Sequence, residues 1–99
     1  MRFGLTESQF SALSEIAIQP LKAAGARVWI FGSRARGDHK PFSDIDVLYS
    51  FSGGHPSGLV GQVAENLEES RLPFKVDLVN EQDLAPSYRA GVLDARVEV

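Results

Sequence analysis

Near the start of the chain, Phe10, Leu13, Ile16 and Ala17 recur at three- and four-residue intervals, the repeat of one face of a helix. Thr6 stands where a cap belongs, Gln9 completes a capping box, and Leu5 can staple onto Phe10, so the spacing predicts a helix from about Glu7. Pro20 lacks the amide that the helical ladder needs, and it either kinks the helix or restarts it; Gly25 is placed to end it. The pattern then changes. Arg27 to Phe31 is rich in β-branched and aromatic residues, with apolar side chains on both faces, which predicts a central strand packed on each side along part of its length. Trp29 within it belongs to the core rather than to a stacked base.

After a loop from Arg34 to Phe42, the run Asp44 to Ser50 predicts a second strand. Ile45, Val47 and Tyr49 share one face; Asp44, Asp46 and Leu48 share the other. Ser52 to Gly58 is turn-rich and reads as a connector, with gating of a nearby site as the alternative. Leu59, Val60, Val63, Ala64 and Leu67 restore helical spacing, with Glu65, Glu68 and Glu69 outward and Pro73 past the end. Phe74 to Val79 predicts a third strand in which Asp77 lies on the polar side. A short helix near Asp83 to Leu93 and an edge strand from Arg96 to Val99 follow. This order describes one domain over residues 1–99, an α+β fold with a small mixed sheet and helices on one face.

Composition narrows the function. A chain of 99 residues, 43% hydrophobic, can bury one core and has no room for a second substrate-binding lobe. Without cysteine it can form neither disulfides nor thiolate metal sites, and a reducing cytoplasm is the natural compartment. No run approaches the length of a membrane span. Thirteen acidic against ten basic residues, a formal charge of -3, disfavour long nucleic acid as the main ligand. A nucleoside triphosphate needs only local positive charge, and Arg34, Arg36, His39 and Lys40 supply it together.

Asp44 and Asp46, two apart on a strand, project from the same face with α-carbons roughly 6.5 to 7 Å apart. Both can reach one magnesium ion, and Asp77 offers a third carboxylate toward a second ion about 3.5 to 4 Å away. Carboxylates so close resist ionising together unless a cation offsets their charge. Before them, Gly32 lets the backbone approach a ligand closely, and Ser33 adds a hydroxyl beside exposed amides, a small nest for phosphates. Arg34 and Arg36 can each grip phosphate oxygens by the forked guanidinium, one of them being as readily an ordinary surface residue. Ser43 either caps the loop or contacts the triphosphate. His39, with no acid partner in view, takes no catalytic role.

Gly32-Ser33, ten intervening residues and Asp44-Ile45-Asp46, with the later Asp77 in Val76-Asp77-Leu78-Val79, resemble the minimal nucleotidyltransferase domains of the DNA polymerase beta-like superfamily. The resemblance runs from the first helix to the last strand. It implies that Asp44, Asp46 and Asp77 hold two Mg2+ ions and that Gly32 and Ser33 hold the phosphates of ATP, to which the residues themselves add Arg36 and Ser43 as nucleotide-binding candidates. It further implies that Asp77 helps activate an attacking hydroxyl while AMP is transferred and pyrophosphate leaves. A stand-alone domain of this length is similar to the MntA-type antitoxins of HEPN/MNT toxin-antitoxin pairs. The implied acceptor is then a tyrosine of a HEPN ribonuclease toxin, bound as a hetero-oligomer and silenced by AMPylation.

Two other readings stand beside this one. The domain can be a binding module that neutralises its partner by complex formation, with Tyr88, Val92 and Leu93 of the tail serving as contacts or as core. It can also transfer to a small molecule, although such enzymes carry acceptor-binding structure that this chain lacks. Template-directed polymerisation fits the acidic balance poorly.

Overall fold

The computed structural model describes residues 2–54 and 56–99, so His55 of the turn-rich connector lies outside the described residues. Thr6 caps the first helix as its sequence predicts: its Oγ1 accepts from the Gln9 amide at 3.1 Å, and its own amide donates to Gln9 Oε1 at 3.0 Å. Leu5 is buried, and Phe3 stacks on Phe10 with ring centroids 6.3 Å apart. Helix α1 spans Glu7–Leu13, and α2 spans Gln19–Ala23. Between them the rod widens into a π-helical turn, Ser14–Ile18, in which the Gln19 amide donates to Ser14 O. A proline ring at position 20 would collide with the carbonyl four residues earlier and leaves no amide to bond it. A turn with acceptors five residues back removes both conflicts, so Pro20 neither breaks the rod nor starts it afresh.

Strands β1, Ala26–Phe31, and β2, Ile45–Phe51, pair antiparallel, and β3, Val76–Asn80, runs parallel to β2. A two-residue β4, Val97–Glu98, covers the free edge of β1, giving the order β3-β2-β1-β4. A one-turn helix α3, Ser33–Arg36, occupies the start of the predicted loop. Helix α4 spans Leu59–Glu68 and α5 spans Pro86–Ala95, preceded by a 3-10 turn at Glu81–Asp83.

One face of the sheet carries the main core. Val28 and Ile30 of β1 and Ile45, Val47 and Tyr49 of β2 pack with Leu13, Ala17 and Leu21 of the helical rod and with Val63 and Leu67 of α4. Truncating a fully buried member such as Ile30 to alanine would cost about 2–5 kcal/mol. The other face alternates in the opposite sense and carries Trp29, Leu48, Asp46 and Asp77. Trp29 is buried there, with the Arg96 guanidinium 3.9 Å from its ring centroid. The helical rod and α4 therefore share one face, as the patterning predicts. Helix α5, as long as α4, departs from that expectation: it lies beside Phe31 at the end of β1, on the face that carries Trp29.

Candidate active site

The register of the sheet brings the acids together. Asp46 lies opposite Phe31 on one side and opposite Asp77 on the other, because β2 is the strand between β1 and β3. Asp44 precedes the strand that it was expected to begin, and it is exposed. Asp46 is half-buried. Burial pushes its carboxyl above the usual carboxylate range, the charges of Asp77 and then Asp44 push the same way, and Arg36 opposes them. The charges of two neighbouring acids thus converge on Asp46.

Gly32 is the last residue before α3 and adopts φ 78°, ψ -156°, a region open essentially to glycine alone. A side chain there would also have no space: a β-carbon would land on Asp46 Oδ2 and stand 3.3 Å from its Cγ. The glycine is needed for two reasons at once. It turns the chain out of β1, and it lets the carboxylate of Asp46 lie directly against the turn. Ser33 opens α3, whose bonds begin at the amides of Ala35 and Arg36 donating to Gly32 O, both at 3.1 Å. The Ser33 and Arg34 amides precede those bonds and have no helical acceptor.

The two arginines of the turn part company. Arg34 is buried, 3% exposed, and donates to Ser43 O from Nε at 3.0 Å and Nη2 at 2.9 Å, to Phe3 O from Nη1 at 2.9 Å, and to Pro41 O from Nη2 at 3.4 Å. Its guanidinium also lies 4.8 Å from the Phe74 ring centroid, and burial lowers its pKa. It is an internal clamp joining the amino-terminal segment, the loop before Asp44 and the approach to β3, so the phosphate contact considered for it does not fit its place. Arg36 is exposed and pairs with Asp38 at 3.3 Å. Such a surface pair is weak, and Arg36 can turn to a stronger anion beside Asp46.

Ser43 holds the loop: its Oγ accepts from the Lys40 amide at 2.8 Å while its carbonyl receives Arg34. His39 lies against Gly4, its Nδ1 buried without a partner among the described residues. Lys75 reaches Asp77 Oδ1 at 3.3 Å from the surface. The all-oxygen donor set of Asp44, Asp46 and Asp77 suits a hard divalent cation, and Asp46 has the charge conflict that one would relieve. As the side chains stand, no three acidic or histidine groups among the described residues are close enough to hold a metal ion. No helix among the described residues is long and apolar enough to cross a membrane. The clamp role of Arg34 had no signal in the sequence, since both arginines sit on one short turn and only the fold separates inward from outward.

Comparison with known proteins agrees with this geometry. Residues 11–99 match the family described as Nucleotidyltransferase domain. The chain is 34% identical over 79 residues to the Methanocaldococcus jannaschii protein MJ0435, whose name assigns it protein adenylyltransferase activity, covering 80% of this chain and 84% of that one. A solved minimal nucleotidyltransferase superposes with a TM-score of 0.72 at 31% identity, over 96% of this chain and 97% of its own. A toxin-antitoxin structure with AMP-PNP shares the fold, with a TM-score of 0.64 at 20% identity over 86% and 70% of the two chains. A toxin-antitoxin MntA-HpeT structure does so at 0.63 and 21% identity, over 96% and 72%. The chain belongs to the nucleotidyltransferase domain family and is a nucleotidyltransferase.

Proposed function

We propose that the protein transfers AMP from ATP to a tyrosine hydroxyl of a partner HEPN-type ribonuclease toxin and so acts as its antitoxin. The observation that carries this reading is the register of Asp46 against Asp77, with Asp44 two residues away and the Gly32 turn against the Asp46 carboxylate. Names of similar proteins supply the direction: protein adenylyltransferase for one relative, toxin-antitoxin for two proteins of like fold.

In this reading Gly32 and Ser33 present backbone amides and a hydroxyl to the β and γ phosphates, and Arg36 leaves Asp38 to grip them. Ser43 keeps the loop before Asp44 in shape and stands ready for the same phosphates. Asp44 and Asp46 would hold Mg2+, two ions with the help of Asp77, and the metal would offset the charge gathered between acids and triphosphate. Asp77 would help activate the acceptor hydroxyl. The chain's own contribution is position and electrostatic preorganisation.

The test is transfer of label from α-labelled ATP, with magnesium, into a co-expressed toxin or host proteins. Label on a tyrosine that disappears with Asp44→Ala or Asp46→Ala is the expected result. Inhibition of the partner that survives both substitutions, with no label in wild type, would instead establish neutralisation by binding alone.

A further inference from the structure

Helix α5 and the Gly32 turn enclose a cleft of about 450 Å3, a size typical of small-molecule sites. Phe31, Gly32 and Arg36 form one wall, and Tyr88, Gly91 and Val92 belong to the other. Gly32 and Arg36 are thus shared between the cleft and the turn that faces Asp46. A nucleotide with its phosphates on that turn has an apolar, aromatic-walled space within reach of its sugar and base.

Two features of α5 have no explanation in the fold. Tyr88 is 69% exposed, although it is among the largest apolar-faced side chains of the molecule. Gly91 stands in mid-helix, where glycine weakens a helix relative to alanine, and a β-carbon there would meet nothing. A flat ring at the rim and an absent side chain on the wall are what a planar ligand requires.

We infer that this cleft is the nucleoside pocket: the base stacks on Tyr88 in the space that Gly91 leaves open, and the phosphates extend past Arg36 to the Gly32 turn. This inference rests on the nucleotidyl-transfer reading above. Stacking and apolar contact from α5 hold the base.

Calorimetric titration of wild type, Tyr88→Ala, Tyr88→Phe and Gly91→Leu with ATP and with inorganic tripolyphosphate, in magnesium buffer, tests it. Tyr88→Ala should weaken ATP binding by about tenfold and leave tripolyphosphate binding unchanged, with Tyr88→Phe close to wild type. Gly91→Leu should weaken ATP binding by filling the cleft. Unchanged ATP affinity in both Tyr88→Ala and Gly91→Leu would overturn the assignment, and so would a raised KM for the protein acceptor with ATP binding intact. Equal loss of ATP and tripolyphosphate would overturn it too, since α5 would then only shape the turn. A wild type that binds neither ligand removes the nucleotidyl-transfer reading itself, and this inference with it.

Discussion

Asp46 and Asp77 face each other across neighbouring parallel strands, residue for residue. Burial of Asp46, compounded by the charges of Asp77 and Asp44, holds its carboxyl above the ordinary range. A folded-state pKa above the unfolded one contributes stability that is present below the unfolded value and lost as pH rises through the folded one. Asp46→Asn should therefore melt at a higher temperature than wild type in metal-free buffer. The difference should grow from about pH 4 to about pH 7. Thermal melts of both proteins across that range check the sign.

If those acids take up a divalent cation, binding stabilises the folded state by mass action. Magnesium should raise the melting temperature of wild type and leave that of Asp46→Asn unmoved, and a chelator should reverse the rise. Equal shifts in the two proteins would place the ion elsewhere.

Substitution of Gly32 by alanine combines a disallowed backbone with a collision at Asp46. Denaturant titration should show a loss of about 1–3 kcal/mol. Transferase activity should fall by about a hundredfold or more, because the carboxylate must move to make room.

Arg34→Met leaves the carbonyls of Phe3, Pro41 and Ser43 without their shared donor. The expected loss of stability is roughly 2–4 kcal/mol. Arg34→Lys should recover little of it, since an ammonium cannot reproduce the planar fork. Arg36→Met, by contrast, should leave stability nearly unchanged while weakening nucleotide binding.

Glu81 ties both ends of α5, to Arg89 at 3.2 Å and to Arg96 at 3.5 Å. Glu81→Gln should weaken that attachment by roughly 1 kcal/mol. Amide exchange over residues 86–95 should quicken several-fold while the denaturation midpoint barely moves.

Periodicity was enough to find every strand and helix apart from one-turn pieces, because burial of one face dictates both the helical and the alternating repeat. Boundaries moved by one to three residues: β2 begins at Ile45 rather than Asp44, β3 at Val76 rather than Phe74, and α5 at Pro86 rather than Asp83. The capping box of Thr6 and Gln9 was legible because it is a local interaction. The π turn was not, since how a helix answers Pro20 depends on what its neighbouring turns pack against. The acids were legible through their spacing, whereas the division of labour between Arg34 and Arg36 depends on Phe3 and Phe74, which are distant in sequence. Ser87, Tyr88, Gly91, Val92 and Ala95 do follow a helical repeat, yet nothing in that repeat says which surface they meet.

The parallel pairing of β2 with β3 has a consequence for how the molecule comes into being. Asp46 and Asp77 are separated by the whole of α4, and strands joined by such a crossover pair only after a long loop has closed. No nascent or clipped chain lacking β3 can assemble the three-acid face. Catalytic competence during synthesis would then begin only once β3 has emerged and docked against β2.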